Sequence, residues 1–395
     1  MQTYVDQLEN KLNLSHLQNY WKDFKGTAYA LFDEKEVFLF NHPKCQGAPY
    51  IKLSRTEQFN GCTLILFEEV PTAIVDSSFY QNFDELYSIF VHELFHGFQY
   101  LYGENRFADE SVGFKYPIDD KNIAYRIQER QKLFEAYMAN DETEMQNCIN
   151  EFISLREARC KYIAEYVQYE NFIETIEGPA HYVEFKALID IQKDTQYAFN
   201  KFTSMLLNEE DSHINIRKGC YSSGLFLCLL LDKYCVDWQS DFTNSPLSLF
   251  DFIKTKFNHQ IVPVKVEQSK EKIHAIMDQI VIRKKYIFKQ FHNTEGIKIV
   301  MKGAMKVAGF DPMNITLLNN QALHQRFINI KIGETNFILE KEVLTTFENH
   351  IMTINNIEFY VDTPPIQIDN MIEIKDIGPI KGSMHLNNNV YYISL

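Results

Sequence analysis

The segment His92-Glu93-Leu94-Phe95-His96 carries residues whose types and spacing suit metal-assisted chemistry. On a helix, two histidines four positions apart leave the same face one turn apart, and their imidazoles can ligate one ion. Glu93 projects about 100° around the helix from His92, where it would lie beside that ion and act as a base. A helix with two surface histidines is the alternative interpretation.

Hydrophobic periodicity predicts that these residues lie on an amphipathic helix. Apolar residues recur at helical spacing at Phe83, Leu86, Phe90, Leu94, Phe98 and Leu101. The polar residues of the same segment form a second stripe, made of Glu85, Ser88, His92, His96 and Gln99. The two histidines are therefore expected to face a polar region and not the apolar core.

A second polar stripe is predicted on a later helix, within residues 169–188. Its members are three or four positions apart: Glu170, Glu174, Glu177, His181 and Glu184. Carboxylates stacked on one face of an otherwise apolar helix repel one another unless a cation or hydrogen-bond donors face them. A solvated acidic face is the usual explanation of such a run. The apolar flanks and the Gly178-Pro179 pair favour a functional site instead.

Together, the strings HELFH and EGPAHYVE resemble the zinc core of the gluzincin metallopeptidases, which include thermolysin-like and aminopeptidase N-like enzymes. The resemblance covers roughly residues 62–237. It implies that His92, His96 and Glu177 ligate one Zn²⁺ per chain and that Glu93 is the general base. A site with two histidines, one glutamate and an open position for water is also what metal-assisted hydrolysis requires.

The resemblance further implies a tyrosine that donates a hydrogen bond to the oxyanion. In aminopeptidase N-like gluzincins this residue lies in a Y-x-K-G pattern at the start of a helix. The corresponding string here is YSSG, which begins at Tyr221, 44 positions after Glu177, and has Ser223 in place of the lysine. A tyrosine at the edge of the core is an equally good interpretation. His181 and Tyr182 compete for the same role.

Other polar residues of the second stripe are expected to support the ligands. The carboxylates of Glu174 and Glu184 are candidates to accept hydrogen bonds from the imidazoles and to fix which ring nitrogen faces the ion. Tyr182 is expected beside them. By analogy with these enzymes, the predicted strand Thr63–Phe67 would align an extended peptide next to the zinc helix.

The spacing of the ligands departs from the family. His96 and Glu177 are 81 positions apart, which is longer than in well-known gluzincins. Asp109 and Glu110 are nearer carboxylates, but their segment predicts a loop, and we rank them below Glu177. The long insertion is acceptable if it projects outward and returns the glutamate helix beside the histidine helix.

The resemblance favours an endopeptidase over an aminopeptidase. The G-x-M-E-N strand that holds a substrate's free amino group is missing upstream of the zinc helix, and the string Gly303-Ala304-Met305-Lys306 lacks its glutamate. A zinc hydrolase of a non-peptide amide or ester, and a non-catalytic binding protein that retains a zincin core, are the alternatives.

The pattern of apolar and polar residues along the chain predicts an α+β protein, whose helices and strands position these side chains. A small β-sheet region is expected over residues 1–80 and a mainly helical, zincin-like catalytic domain over 81–291, with an inserted helical hairpin at about 104–170. Capping patterns at Asn82 with Glu85 and at Asp141 with Glu144 mark two helix starts. Alternating apolar residues predict an all-β domain over 294–395, similar to a sandwich or barrel.

The composition limits the class of protein. The chain has 395 residues, with 39 Lys and Arg against 53 Asp and Glu, and a net charge of −14. An acidic chain is not expected to bind nucleic acid, because neutralising phosphates requires a basic surface. No apolar run of about 20 residues predicts a membrane span, and the first residues lack the pattern of a secretory signal. We therefore expect a cytoplasmic protein that binds neither nucleic acid nor a membrane. The resemblance to the gluzincins implies that its substrate is a peptide or protein.

Overall fold

The structure is a computed structural model that describes residues 1–113, 115–266, 268–348 and 350–395. Helices contain 48% of the residues and strands contain 24%, so the fold belongs to the α+β class, with a C-terminal region rich in strands. No helix of the described ranges is both long and apolar enough to cross a bilayer.

The α-helices are bounded as follows: α1 Gln2–Lys11, α2 Phe83–Leu101, α3 Glu110–Gly113, α4 Asp120–Met138, α5 Glu142–Gln192, α6 Thr195–Leu207, α7 Asp211–Ile214, α8 Ile216–Tyr234, α9 Trp238–Thr243, α10 Leu249–Lys256 and α11 Lys270–His292. The strands are bounded as follows: β1 Ala28–Phe32, β2 Glu36–Phe40, β3 Tyr50–Ser54, β4 Thr63–Phe67, β5 Val70–Asp76, β6 Ile297–Phe310, β7 Ile315–Leu318, β8 Gln321–His324, β9 Ile328–Ile332, β10 Thr335–Leu339, β11 Val343–Phe347, β12 Thr353–Val361, β13 Ile366–Ile368, β14 Met371–Ile374, β15 Gly378–Lys381, β16 Ser383–Asn387 and β17 Val390–Ser394.

The chain divides into two compact units. The first contains residues 1–109 and 119–269, and the second contains residues 110–118 and 270–395. The N-terminal strands and the helices that follow them share one hydrophobic core, so both lie in the first unit. The helix α11, which the sequence grouped with the helical domain, lies in the second unit.

The first unit contains a five-stranded sheet in the order β3-β2-β1-β5-β4. β1 and β5 are parallel, and the other neighbours are antiparallel. Successive residues of β1 point to opposite faces, as the pleat requires. Tyr29 and Leu31 join the core that contains α2, while Ala30 and Phe32 join a smaller core on the other face. The sheet therefore supports α2 on one face, with β4 at its edge.

The helix α2 begins and ends where the sequence predicted. The Asn82 side chain accepts a hydrogen bond from the Glu85 backbone N–H at 2.9 Å, which satisfies one of the free donors of the first turn. In a capping box, the Glu85 carboxylate would accept a hydrogen bond from the Asn82 backbone N–H. Here the Glu85 carboxylate binds Lys201 Nζ at 2.9 Å instead. The helix ends at Leu101, and Gly103 follows with φ of +77°, a conformation that favours glycine.

α4 and the first part of α5 pack together as a helical hairpin within the segment for which the sequence predicted one. The Asp141 side chain caps α5 by accepting a bond from the Glu144 backbone N–H at 2.8 Å. α5 runs for 51 residues and bends at Ile163, where φ and ψ are −138° and 52°. Its second part, which carries the predicted polar stripe, packs against α2 and α8.

Buried ion pairs join α4 to both parts of α5. Glu129 binds Arg156 at 3.1 Å and Arg159 at 2.8 Å, and Glu170 binds Arg126 at 3.0 Å and Arg159 at 2.8 Å. All five side chains are at most 3% exposed. Because an unpaired charge is costly inside a protein, these pairs fix how the hairpin docks.

The second unit is built mainly from strands. Its large sheet runs in the order β10-β9-β6-β12-β11-β8-β7, and β17 pairs in parallel with β6 and in antiparallel with β16. A three-stranded sheet, β13-β14-β15, shares a core with it, through Ile372 and Ile374 packed with Ile299 and Met301.

Candidate metal centre

Three side-chain atoms from α2 and α5 converge in the interior of the first unit. His92 Nε2 and His96 Nε2 are 3.1 Å apart, and Glu177 Oε2 lies 3.5 Å from the first and 3.3 Å from the second. His92 is 3% exposed and Glu177 is 4% exposed. A tetrahedral zinc ion with bonds of about 2.0–2.1 Å separates its ligand atoms by roughly 3.4 Å. The three atoms therefore have the spacing of one face of such a site.

The orientation of the His92 ring is set by Glu184. His92 Nδ1 lies 3.0 Å from Glu184 Oε2. A carboxylate accepts hydrogen bonds, so Nδ1 carries a proton, and in the neutral ring Nε2 then presents a lone pair towards Glu177. The predicted role of Glu184 in fixing an imidazole tautomer agrees with this geometry.

The orientation of the His96 ring is set by Gln99, a residue to which the sequence assigned no role. Gln99 Nε2 donates to the Ile176 carbonyl at 2.9 Å, which turns its Oε1 towards His96 Nδ1 at 2.8 Å. His96 Nδ1 is therefore the donor, and its Nε2 also presents a lone pair. The only signal in the sequence was the position of Gln99 on the polar stripe, three residues after His96.

The electrostatics of the cluster favour a cation. Glu177 Oε2 has no hydrogen-bond donor within the described residues, although it is buried. Burial alone would lower the pKa of His92, but the carboxylates of Glu177 and Glu184 outweigh it and raise the pKa to about 10. Burial would raise the pKa of Glu177, yet the imidazoles of His96 and His92 hold it well below its usual range. The cluster therefore stabilises a positive charge, carried either by a proton on an imidazole or by a cation that replaces it.

Glu93 lies next to this cluster with no partner of its own. Its side chain is 6% exposed, and it makes no hydrogen bond or ion pair in the part of the chain that the structure describes. Burial, and then the charges of Glu177 and Glu184, raise its pKa, while His92 and His96 act in the opposite direction. A buried carboxylate with a raised pKa beside a cation site is suited to take up a proton.

α8 contributes two groups to the centre, and the sequence identified only one of them. Arg217 Nη2 donates to Glu177 Oε1 at 2.6 Å, and nothing in the string IRKGC marked this residue. Tyr221 lies one turn further on, with its ring 6.1 Å from that of His92. Burial, followed by the charge of Glu177, raises the pKa of Tyr221 well above its usual value, so the phenol remains a donor. The sequence placed Tyr221 just before a helix, but it lies in the second turn of α8.

His181 also borders the centre. Its Nδ1 lies 2.9 Å from Glu184 Oε2, so this one oxygen accepts from both His92 and His181. His181 Nε2 is buried without a hydrogen-bond partner within the described residues, and the ring lies 5.8 Å from that of Tyr221. The second grouping of possible metal ligands, His92 with His181 and Glu184, is accounted for by these two hydrogen bonds.

The structure corrects the expectations for Glu174 and Tyr182. Glu174 is fully buried, but its carboxylate accepts bonds from Arg156 and Ser223 and contacts no imidazole among the described residues. The Tyr182 hydroxyl accepts a bond from Lys186 Nζ at 3.1 Å, and its ring packs against Trp21 and Trp238. A helix face has an angular spread, so residues on the same stripe can meet different neighbouring helices.

The alternative third ligands are not part of the centre. Neither Asp109 nor Glu110 belongs to a group of metal-ligating atoms within the described ranges, whereas Glu177 does. Comparison with known proteins adds no further constraint: no family model matches the chain, and no significantly similar curated protein or solved structure was found.

Proposed function

We propose that this chain is a zinc-dependent peptidase with a zincin-like core of the gluzincin type, and that it cleaves within peptides. The observation that carries the proposal is the convergence of His92 Nε2, His96 Nε2 and Glu177 Oε2, within 3.1–3.5 Å of one another. The carboxylate of Glu93 lies beside them and has no hydrogen-bond partner among the residues that the structure describes. Two imidazoles and one carboxylate form the donor set typical of catalytic zinc sites, which keep a position open.

The residues around the ion would each have a separate role in hydrolysis. When bound, zinc supplies a Lewis acid that lowers the pKa of water towards neutrality. Glu93 takes the proton of the attacking water and later gives it to the leaving amine. Tyr221 and His181 lie near each other beside His92 and are the candidate donors to the oxyanion, a contribution of about 3–4 kcal/mol for one such donor in known enzymes. His181 can donate from Nε2 only as an imidazolium, because its Nδ1 proton is bound to Glu184.

The edge strand β4 supports a peptide as the substrate. β4 pairs with β5 on one side and is the last strand in the sheet order of the described residues. It packs beside α2, the helix that carries His92 and His96. A free edge can bind an extended peptide through main-chain hydrogen bonds, which would place a scissile bond near the centre.

The direct test is peptide cleavage by the wild-type protein and by Glu93→Gln. We expect the wild-type protein, loaded with one Zn²⁺, to digest a peptide library, and Glu93→Gln to bind zinc and lose at least 100-fold in rate, the lower range for general base catalysis. Glu85→Gln is a matched control on the same helix. Equal cleavage rates for the wild-type protein and Glu93→Gln would contradict the proposal that this protein is a hydrolase.

Zinc content separates the remaining alternatives. We expect one Zn²⁺ in the wild-type protein and none in Glu177→Ala. A protein that binds zinc but cleaves only ester or non-peptide amide substrates would be a different zinc hydrolase. A protein that binds zinc and cleaves none of these substrates would be a binding protein that retains a zincin core.

A further inference from the structure

The Arg217 side chain lies directly behind the candidate ligand Glu177. Arg217 Nη2 donates to Glu177 Oε1 at 2.6 Å, and the two side chains are 15% and 5% exposed. A charge-assisted hydrogen bond of this length, largely removed from water, is among the stronger polar contacts in proteins. Arg217 lies in the first turn of α8, whose start is fixed by the Asn215 side chain, which accepts from the Lys218 backbone N–H at 3.0 Å.

The two oxygens of Glu177 consequently have different surroundings. Oε1 accepts from the guanidinium. Oε2 has no donor within the described residues and faces the Nε2 atoms of His96 and His92 at 3.3 and 3.5 Å. A carboxylate can bind a metal through one oxygen or through both. Here the contact with Arg217 leaves Oε2 as the oxygen available to an ion.

We infer that Arg217 is a positioning residue that holds Glu177 as a one-oxygen ligand and thereby keeps a coordination position open for water. This inference rests on the proposed zinc site. Without the guanidinium, Oε1 is released to turn towards the ion, and a second carboxylate oxygen fills the position that water needs. Arginine suits this role because its planar, permanently charged group directs its N–H bonds. Its guanidinium also lies 5.9 Å from the Tyr221 ring, which restrains it further.

The test uses Co²⁺ as a spectroscopic substitute for Zn²⁺ in the full-length protein. We expect the wild-type protein to give the intense visible absorption of a four-coordinate Co²⁺ site, and Arg217→Ala to give the weaker absorption of a site with more ligand atoms. Zinc affinity, measured by competition with a chelator, should fall about 10–100-fold, as when other contacts to metal ligands are removed. Lys218→Ala, at the exposed neighbouring position, should match wild type in both measurements.

The outcomes separate this inference from the proposed function. An Arg217→Ala protein with the wild-type cobalt spectrum and zinc affinity would overturn the role of Arg217 and leave the peptidase proposal intact. A wild-type protein that binds zinc without hydrolysing any substrate would reject the peptidase, while the cobalt spectra would still decide the role of Arg217. A wild-type protein that binds neither ion would overturn both. If Arg217→Ala does not fold, Arg217→Gln, which is neutral and shorter, decides by the same spectrum.

Discussion

Gly178 and Gly224 meet at the point where α5 crosses α8. A Cβ atom on Gly178 would lie 2.7 Å from the Gly224 Cα, and one on Gly224 would lie 2.6 Å from the Gly178 Cα. Contacts this short with backbone atoms cannot be relieved by rotating a side chain. The pair therefore sets how closely the helix that carries Glu177 approaches the helix that carries Arg217 and Tyr221.

Replacing Gly178 by alanine should separate the two helices. We expect Gly178→Ala to lower the free energy of unfolding by about 1–3 kcal/mol, because the strain of overpacking outweighs the better helix propensity of alanine. Zinc affinity should fall as well, because Glu177 is the adjacent residue. Urea denaturation and chelator competition measure the two effects. Gly309→Ala in β6, where the nearest atom to a new Cβ is 3.7 Å away, is the control. A Gly178→Ala protein as stable as wild type would contradict the prediction.

Removing the charge of Glu184 should weaken metal binding without unfolding the protein. Its Oε2 accepts bonds from His92 and His181, so Glu184→Gln removes the negative charge that orients both rings. We expect zinc affinity to fall about 10–100-fold. Glu85→Gln, which removes a carboxylate bound to Lys201 on α2, should leave zinc affinity unchanged. Similar zinc affinities for the two variants would argue against the assigned role of Glu184.

Glu174 should be important for stability and not for the metal. Its carboxylate is fully buried against Arg156 and Ser223. Glu174→Gln leaves the Arg156 guanidinium short of one negative charge, and breaking a buried pair of this kind costs about 3–5 kcal/mol. Thermal unfolding should therefore occur at a lower temperature, while the folded protein binds zinc with wild-type affinity. A large loss of zinc affinity at unchanged stability would restore the role that the sequence suggested.

The different environments of these residues explain how much of the candidate site could be predicted from the sequence. Helical periodicity placed His92, His96 and Glu177 on faces of α2 and α5 whose side chains converge in the structure, because that pattern depends only on local geometry. The same periodicity cannot show which helix lies opposite. The contact of Glu174 with Ser223 and the approach of Arg217 both depend on how α8 packs, and residues that are distant in sequence decide that packing. The contact of Glu174 with Arg156 joins the two parts of the bent helix α5. Gln99 was missed because its role depends on the carbonyl of Ile176, a backbone group that no side-chain pattern reveals.

Acid should destabilise the second unit through His324. Burial lowers the pKa of His324 to about 3, whereas an unfolded histidine has a pKa of about 6.5. The unfolded chain therefore binds a proton that the folded chain does not, and the contribution of His324 to stability declines as pH falls from about 6.5 to 3. Compared with His324→Phe, the wild-type protein should lose up to about 1.4 kcal/mol per pH unit in this window.

Thermal unfolding of the two proteins between pH 7 and pH 4 measures this difference. Other acid-labile groups are common to both and cancel. His385→Gln, at an exposed position in β16, should follow the wild-type curve. Parallel curves for the wild-type protein and His324→Phe would show that the buried imidazole does not resist protonation.

The bent helical hairpin between His96 and Glu177 separates the candidate metal ligands along the chain, and this separation bears on when a metal ion can bind during folding. These residues are 81 positions apart, and α4 contacts both parts of α5 through the Arg and Glu pairs. The proposed zinc would therefore find all three donors together only in the folded protein, and we expect it to bind the native state selectively and to slow unfolding. We therefore expect the same refolding rate in metal-free buffer and in the presence of zinc. Zinc should change only the rate of unfolding, which should be lower when the ion is bound.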